Sequence, residues 1–242
     1  MFSLYLFGFW IIIDNSLTTT NLDSINNQTS VIYIKNESNL GLAKALNIGI
    51  NFCLEDQNCT HIALFDQDSV PDSEMFTKMK NSLINCNGNV VAFCPEIVDI
   101  KNSLRPNISI DQTIDIAITS GTLFSRSAFK EVGLMDETFF IDYIDYEWCL
   151  RAKSKNLKIL KVKDAILYHN MGDKTINFFC IQKPLHKNNM RHYYIIRNQL
   201  IFISRRYIPL KYKLEHFFKL FFRDLRPGPV LILFRIMIIQ VL

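Results

Sequence analysis

Two carboxylates separated by one residue follow a short apolar run, and their types and spacing suit metal chemistry. The run 62–65 is continuous in apolar side chains, which predicts a strand buried on both faces, and Asp66 and Asp68 come directly after it. Sheets of α/β proteins bind ligands at such carboxyl ends, where hard divalent cations share oxygen ligands with substrate phosphates. The pattern indicates a metal-bound phosphorylated or nucleotide substrate, whereas an isolated Asp-x-Asp is also typical of a solvated turn.

A second acidic cluster lies within residues 139–151. Asp142, Asp145 and Glu147 alternate there with large aromatic side chains, so these acids are not expected to form a freely solvated face. Two such clusters in one chain favour a functional site over an ordinary acidic turn.

Short motifs in a fixed order surround both clusters. They are Asp14-Asn15-Ser16, Asn39-x-Gly41-x-Ala43-x-Ala45-x-Asn47-x-Gly49-Ile50, Asp66-Gln67-Asp68-Ser69, Ser120-Gly121, Val132-Gly133-x-x-Asp136-Glu137 and Phe140-Ile141-Asp142-Tyr143-x-Asp145-x-Glu147-Trp148-Cys149-x-Arg151. In this order they resemble family 2 glycosyltransferases of the GT-A fold. The Asp-Gln-Asp-Ser and Phe-Ile-Asp forms resemble the bacterial rhamnosyltransferase branch. The resemblance extends from Ile11 to Arg206.

The resemblance implies a set of nucleotide-binding residues. Asp14 corresponds to the family's nucleobase-binding acid, and Asp66 to its ribose-binding acid. Asn39 and Gly41 open a helix whose unsatisfied N–H groups could face the nucleotide phosphates. Lys44, on the same helix, could add a charge contact, although a surface lysine is an equally good interpretation.

The resemblance also implies a metal site. Asp68 corresponds to the direct ligand, with Asp66 beside it, and His169 resembles a histidine that reaches the metal or the diphosphate in relatives. The expected cation is Mg²⁺ or Mn²⁺, which would stabilise the charge that develops on the departing nucleoside diphosphate.

The same comparison assigns the general base. Counting back from Arg151 places Asp145 at the acid that deprotonates the acceptor hydroxyl for inverting attack. Ile144 replaces the glutamate that usually precedes this acid, and Asp142 is expected to supply the missing charge. Glu147 and Arg151 are expected to support the loop by pairing.

Strand-like and helix-like segments alternate along the chain, which predicts an α/β fold. We expect the GT-A nucleotide-sugar-binding fold, with a mostly parallel central sheet, helices on both faces and basic amphipathic helices at the C-terminal end. Strands are expected at 10–14, 31–34, 62–65, 90–94 (stopped by Pro95), 113–118, 157–162 and 165–168, and helices at 40–52, 76–84, 126–132 and 145–155.

The amino-terminal segment departs from the family pattern. Residues 1–9 are apolar but lack the positively charged start of a secretory signal, and no small-residue cleavage site follows them. Residues 10–16 resemble the second strand of the family's sheet rather than its first. We therefore expect a truncated amino-terminal end that lacks the first strand and with it part of the nucleotide pocket.

Charge is divided unevenly along the chain. Residues 1–150 contain 8 Lys and Arg against 19 Asp and Glu, whereas residues 151–242 contain 19 against 4. We expect the basic part to meet anions, such as lipid headgroups or a pyrophosphate-linked acceptor. No nucleic acid partner is expected, because long apolar stretches interrupt the basic residues and no nucleic-acid-binding module is recognisable.

Two domains are predicted, a catalytic domain over 1–189 and a helical extension over 190–242. Residues 212–222 mix Phe and Leu with basic residues, which is typical of helices in a membrane interface. Packing of these helices on the catalytic sheet is an equally good interpretation. Residues 230–242 are apolar but too few for the ~20 that span a bilayer.

The expected function is inverting transfer of a sugar, with rhamnose from dTDP-rhamnose as the first choice, onto a cell-surface glycan or lipid-linked precursor. A UDP-sugar is the alternative donor, and an inactive remnant that only binds nucleotide-sugar is the alternative of a different class. A metal-dependent nucleotidyltransferase is disfavoured, because no Gly-x-Gly loop lies near the amino terminus. The six cysteines form no Cys-x-x-Cys pair, which favours a reducing cytoplasm, with peripheral contact to the inner face of the membrane.

Overall fold

The computed structural model describes residues 9–17, 31–86, 88–99, 110–169, 175–178, 181–184 and 189–224. The strands are β1 (Trp10–Asp14), β2 (Val31–Lys35), β3 (His61–Ala63), β4 (Ser69–Pro71), β5 (Val90–Asp99), β6 (Gln112–Ile114), β7 (Leu123–Ser125), β8 (Lys158–His169), β9 (Thr175–Phe178) and β10 (Ile181–Pro184). The helices are α1 (Leu42–Glu55), α2 (Met75–Asn85), α3 (Arg126–Glu131), α4 (Ile144–Ser154), α5 (Asn189–Ser204) and α6 (Leu210–Asp224). The predictions for residues 1–8 and 230–242 fall outside the described residues.

The central sheet is mixed, which corrects the expectation of a mostly parallel one. Its strands lie in the order β3-β7-β5-β8-β4, and β6 also pairs with β8. Strands β5 and β8 run parallel, while β7 is antiparallel to both β3 and β5, and β4 and β6 are antiparallel to β8. A separate parallel pair joins β1 to β2. Apolar runs of three residues reveal a strand but carry no information on its direction, so the pairing could not be predicted from them.

Strand β5 continues through Pro95, where the sequence predicted a stop. The pairing register of β5 and β8 shifts between Cys94 and Glu96, and Asp164 on β8 has a positive φ of 57° at the same place. Proline is tolerated inside a sheet at such a bulge, because its missing N–H is not needed there. The two short strands predicted at 157–162 and 165–168 are accordingly one bulged strand.

Other predicted elements differ in extent. Residues 69–71, expected only to break the preceding strand, form β4, because β8 offers them a free edge. The strand expected over 113–118 ends at Ile114, since Asp115 turns away to hydrogen bond with Lys211 and Tyr212. Strand β1 is half-buried throughout rather than fully buried.

Aromatic packing joins helix α4 to the sheet. The fully buried Trp148 lies with its ring centroid 4.9 Å from that of Phe124 on β7 and 6.0 Å from that of Phe129 on α3. Each such buried side chain stabilises the fold by about 1.5–3 kcal/mol relative to exposure. The start of α4, which carries Asp145, is therefore attached to a rigid core.

Helices α5 and α6 pack on the catalytic part of the chain. Phe202 of α5 is fully buried, and its ring lies 5.3 Å from Tyr143 and 5.0 Å from His216 of α6. Arg205, just after α5, also forms an ion pair with Asp136 at 2.6 Å. Among the helices that the structure describes, none combines the length and apolar character needed to cross a bilayer.

Candidate active site

Three potential metal ligands meet beside strands β3, β4 and β8. Asp66 and Asp68 lie between β3 and β4, and His169 ends β8. Because β4 pairs with β8 so that Ser69 lies opposite His169, the histidine is brought next to the acidic pair. One ligand atom from each of the three residues lies within 4.8 Å of the other two, and His169 Nδ1 is 3.6 Å from Asp68 Oδ1.

A pair of serines orients these ligands. Ser120 Oγ accepts the backbone N–H of Asp66 at 3.1 Å and lies 2.6 Å from Ser69 Oγ, which in turn lies 2.7 Å from His169 Nδ1. Ser120 is buried, with only 1% of its surface exposed. His169 Nδ1 thus faces both Ser69 and the Asp68 carboxylate, and hydrogen bonds of this kind orient a histidine beside a metal site. Ser120 belongs to the Ser-Gly motif of the sequence, for which no role was predicted.

The electrostatics of the group suit a cation. Burial raises the pKa of Asp66 above its usual range, the charge of Asp68 raises it further, and His169 opposes this effect. When the environment disfavours the ionised form of a carboxyl group in this way, a nearby cation stabilises that form. Two carboxylates and an imidazole are also ordinary ligands for Mn²⁺, and the carboxylates suit Mg²⁺.

Asp145 lies in the first turn of α4, where the negative charge of Asp66 acts on its carboxyl group. Burial raises the pKa of Asp145 to about 6, and the negative charges of Asp142 and Asp66 add to this effect. Its carboxylate accepts the N–H of Tyr146 at 2.9 Å, and the residue lines a small cavity with Phe124 and Trp148. A carboxyl group with this pKa can accept a proton near neutral pH.

Asp142 is held by an ion pair from α5. Arg191 donates from Nη2 to one carboxylate oxygen at 2.9 Å and from Nε to the other at 3.2 Å. Asp142 was expected to replace the charge that is missing at Ile144. The structure shows this carboxylate paired with a guanidinium, and its role in place of the missing glutamate stays a prediction.

Glu147 and Arg151 lie on α4 and connect it to the preceding loop. Glu147 is fully buried and accepts two bonds from Arg151, at 2.8 and 3.0 Å, and one from the hydroxyl of Tyr207. Arg151 also donates to the carbonyls of Val132 and Leu134 at 2.8 and 2.7 Å. These contacts describe a buried structural pair that fixes the loop and the helix relative to each other.

The loop Asn39–Gly41 uses N–H groups within the protein, and a contact of the start of α1 with nucleotide phosphates stays a prediction. Leu40 N donates to Asn15 Oδ1, Gly41 N donates to Asn39 Oδ1, and Leu42 N donates to the carbonyl of Phe140, at 3.0, 3.0 and 2.6 Å. Gly41 has a φ of 84°, and a Cβ there would lie 2.5 Å from Phe140. Close approach to Phe140 therefore requires this glycine.

Asp14 ends β1 with its carboxylate surrounded by donors. Tyr33 and Lys35 donate to Oδ2 at 2.5 and 2.9 Å, and the backbone N–H of Ser16 donates to Oδ1 at 2.8 Å. The hydrogen bonds from Ser16 and Tyr33 hold the pKa of Asp14 far below its usual range. Asp14 is thus a fixed anion at the end of the β1–β2 pair, and its contact with a nucleobase stays a prediction.

The predicted site residues fall into separate groups. Asp66, Asp68 and His169 form one group, and the charge of Asp66 acts on Asp145 nearby on α4. Asp14, Asn39 and Gly41 form a second group, connected by the side chain of Asn15, which donates to Asn39 Oδ1 at 3.0 Å and to Gly41 O at 3.3 Å. Lys44 lies exposed on α1. The sequence did not predict the contacts made by Asn15, Ser120 and Arg191. Asn15 belongs to the Asp-Asn-Ser motif and Ser120 to the Ser-Gly motif, whereas no motif pointed to Arg191.

An α/β fold with a mixed sheet and a candidate metal-binding group of acidic residues at its strand ends is typical of a GT-A glycosyltransferase. Solved structures support this class at the level of fold. The structure of GalNAc-T7 with UDP, GalNAc and Mn²⁺ has a TM-score of 0.55 and 14% identity over 86% of this chain and 48% of that one. TarS 1–349 from S. aureus in complex with UDP-GlcNAc has a TM-score of 0.54 and 12% identity over 87% of this chain and 62% of that one.

The chain belongs to glycosyl transferase family 2. The family model described as "Glycosyl transferase family 2" matches residues 4–133, more than half of the 242 residues. A "dTDP-rhamnosyl transferase RfbF" of Shigella flexneri is 32% identical over 217 residues, which cover 83% of this chain and 72% of that protein. A "Low-salt glycan biosynthesis hexosyltransferase Agl10" of Haloferax volcanii is 23% identical over 189 residues, 66% of this chain and 58% of that protein.

Proposed function

We propose that this chain is an inverting glycosyltransferase that transfers rhamnose from dTDP-rhamnose to a hydroxyl group of a glycan or lipid-linked acceptor. The observation that carries the proposal is the position of Asp145 within electrostatic range of the Asp66–Asp68–His169 group. The donor is suggested by the 32% identical relative, whose name states dTDP-rhamnosyl transfer. A cation site beside a carboxylate of raised pKa supplies the two functions that sugar transfer from a nucleotide needs.

In this proposal the donor diphosphate lies at Asp66, Asp68 and His169. Bound Mg²⁺ or Mn²⁺ would stabilise the charge on the departing nucleoside diphosphate. Asp145 removes the proton from the acceptor hydroxyl while that oxygen forms a bond to the anomeric carbon. The bond from this carbon to the diphosphate oxygen breaks on the opposite side, which inverts the configuration.

The contacts of the two acids near α4 favour Asp145 over Asp142 as the base. Both carboxylate oxygens of Asp142 accept bonds from Arg191, so this carboxylate is already engaged in an ion pair. Among the described residues, Asp145 accepts backbone N–H groups only, and burial raises its pKa to about 6. Efficient bases have a pKa near the working pH.

A UDP-sugar is the second candidate donor, because the GT-A structures of GalNAc-T7 and TarS are complexes with UDP or UDP-GlcNAc. The test is to incubate the protein with dTDP-rhamnose or UDP-sugars, Mn²⁺ and candidate acceptors, and to measure release of nucleoside diphosphate. Release from dTDP-rhamnose alone supports the first candidate, and release from a UDP-sugar alone replaces it. Binding of nucleotide without release from any donor would support the inactive remnant.

Variants of the metal group sharpen this test. Asp68→Ala should abolish the Mn²⁺-dependent part of nucleoside diphosphate binding in calorimetric titration, because it removes a direct ligand. Glu74→Ala, which removes an exposed carboxylate near the start of α2, is the matched control and should bind as the wild type does. Equal metal dependence in Asp68→Ala and the control would contradict the metal assignment.

The proposal includes peripheral contact with an anionic membrane through α6. The helix buries one face against the catalytic part and leaves a second apolar face exposed, at Leu210 (68% exposed), Leu214 (47%), Phe217 (52%) and Phe218 (53%). These positions have helical spacing, and Lys211 and Lys213 lie on either side of them in projection. An apolar stripe between basic residues matches the interface of anionic lipids, where each basic residue contributes about 1 kcal/mol.

Vesicle co-sedimentation tests the membrane contact. Wild-type protein should sediment with phosphatidylglycerol vesicles at low salt and less at high salt, because salt screens the lysines. Phe217→Ser should weaken sedimentation, whereas Ile84→Ser should not, since Ile84 is more exposed (68% against 52%) but lies on α2. Equal sedimentation of both variants would show that the α6 stripe does not bind lipid.

A further inference from the structure

Helix α4 begins after two consecutive residues in a backbone conformation that suits glycine. Asp142 has a φ of 64° and Tyr143 a φ of 67°, and both residues carry a Cβ. Non-glycine residues persist in this left-handed region only where surrounding contacts fix them, and such positions are concentrated at functional sites. Asp145 follows this turn by two residues, so the turn determines where its carboxylate lies.

The contacts that hold the turn come from the two C-terminal helices. Arg191 of α5 binds both carboxylate oxygens of Asp142. Asn198 of α5 donates from Nδ2 to the carbonyl of Ile141 at 2.6 Å and to that of Asp142 at 3.2 Å. Side chain and backbone of the first left-handed residue are therefore both held by α5.

Tyr143 is held by α6. Its hydroxyl lies 2.8 Å from Nδ1 of His216, and the two rings are 5.3 Å apart in an edge-on arrangement. Only 4% of His216 is exposed, and burial lowers its pKa to about 4, so the ring is neutral near pH 7. A neutral imidazole can accept the tyrosine proton at Nδ1 or donate to the oxygen, and either hydrogen bond fixes the ring of Tyr143.

Because Asn198 is buried, its hydrogen bonds hold its side chain in one orientation. Asn198 is fully buried, and its Oδ1 accepts Arg197 Nη1 at 2.9 Å while its Nδ2 serves the two carbonyls. A buried amide keeps one orientation when both of its ends are hydrogen bonded, because any rotation leaves polar groups without partners. The position of α5 therefore determines the position of the turn, because Asn198 binds its carbonyl groups.

We propose that Arg191, Asn198 and His216 are positioning residues that fix the Asp142–Tyr143 turn and thereby direct Asp145 toward the acceptor hydroxyl. The proposal rests on the proposed function of Asp145 as general base. It assigns to α5 and α6 a role in the chemical step, in addition to any contact of the exposed α6 face with lipid.

The test compares Arg191→Gln with Arg206→Gln. Both variants remove one arginine from the C-terminal part of the chain. Arg206 is exposed in the connection between α5 and α6, whereas Arg191 binds the turn. Arg191→Gln should lower kcat by about 10–100-fold, since small misplacement of a catalytic group has effects of this size. The KM for the donor and the affinity for nucleoside diphosphate should stay at the wild-type values, because the metal group is untouched. Arg191→Lys should restore part of kcat by restoring the charge.

Hydrogen exchange over residues 141–146 provides a measurement that does not depend on turnover. Exchange should be faster in Arg191→Gln and in a second variant, Asn198→Ser, than in the wild type and Arg206→Gln. Unchanged exchange and kcat in Arg191→Gln would overturn the proposal. Faster exchange with unchanged kcat, or equal losses in kcat and nucleotide affinity, would also overturn it. If the wild type released no nucleoside diphosphate from any donor, the proposed function would fail, and exchange would still decide whether α5 and α6 fix the turn.

Discussion

Replacing Asp145 by asparagine should make the protein more stable and far less active. The amide has nearly the shape of the carboxyl group but carries no charge and cannot accept the acceptor proton. Burial raises the pKa of Asp145 from 3.8 to about 6, so the folded state disfavours the ionised form. Loss of a general base typically lowers turnover by about 10²–10⁴-fold. One substitution should therefore separate the contribution of this residue to stability from its contribution to catalysis.

The size and sign of the stability effect follow from the pKa. A pKa difference of one corresponds to about 1.4 kcal/mol, so the rise from 3.8 to about 6 corresponds to at most about 3 kcal/mol. Asp145 is only partly shielded from solvent, and we expect about 1–2 kcal/mol after screening. The folded state binds the proton more tightly than the unfolded state, so the wild type loses stability as pH rises from about 4 to about 6. The asparagine side chain does not titrate and lacks this loss, so Asp145→Asn should gain its full advantage only above pH 6.

Urea unfolding at pH 4 and pH 8, in EDTA so that no cation shifts the titration, measures this effect. Asp164→Asn is the matched control, because it removes a carboxylate that is exposed on β8. Asp145→Asn should exceed the wild type in free energy of unfolding at pH 8 but not at pH 4, and the control should show no such pH dependence. A pH-independent difference would refute the burial argument. Normal turnover in Asp145→Asn together with lost turnover in Asp142→Asn would show that the other acid is the base.

Three further substitutions test the surroundings of the site. Ser120→Ala should weaken Mn²⁺ binding by about 10–100-fold in calorimetry, because it removes the hydroxyl that orients Asp66 and Ser69; unchanged affinity would exclude an orienting role. Gly41→Ala should lower the free energy of unfolding by about 2–3 kcal/mol through its clash with Phe140, and by more than Gly88→Ala, where φ is also positive but no atom lies within 4 Å. Glu147→Gln should cost about 3 kcal/mol in chemical unfolding, because it leaves the charge of Arg151 without its partner, and a cost near zero would contradict the buried pair.

The grouping of the candidate metal ligands could be predicted from the sequence better than their surroundings. Asp66 and Asp68 were recognisable because a strand-forming run ends directly before them, and His169 because it follows another such run. Helix α4 begins at Ile144, one residue before the predicted start. The α/β class and the GT-A fold are confirmed by the structural relatives. These features depend on local patterns, which a single sequence displays.

Contacts between distant segments could not be predicted. Ser120 and Ser69 are in contact although 51 positions separate them in the sequence, and 100 positions separate Ser69 from His169. Contacts between such distant residues leave no periodic signal in the sequence. The direction of the strands and the continuation of β5 through Pro95 depend on pairing with β8, which a local propensity cannot report. The clamp of Arg191 on Asp142 likewise joins helix α5 to a turn 49 positions earlier.

The separate partners of four neighbouring acids explain how they can have different functions. Asp66 and Asp68 lie beside His169 and have the ligand types that a divalent cation uses, while Asp142 forms an ion pair with Arg191. Within the described part of the chain, Asp145 has no cationic partner, and burial together with the charges of Asp142 and Asp66 raises its pKa. In the proposed function these carboxylates serve as metal ligand, structural anion or base according to their environment, because each environment stabilises a different protonation state. The ion pair with Arg191 engages Asp142, and Asp145 is the acid near α4 whose raised pKa suits the proposed role of general base.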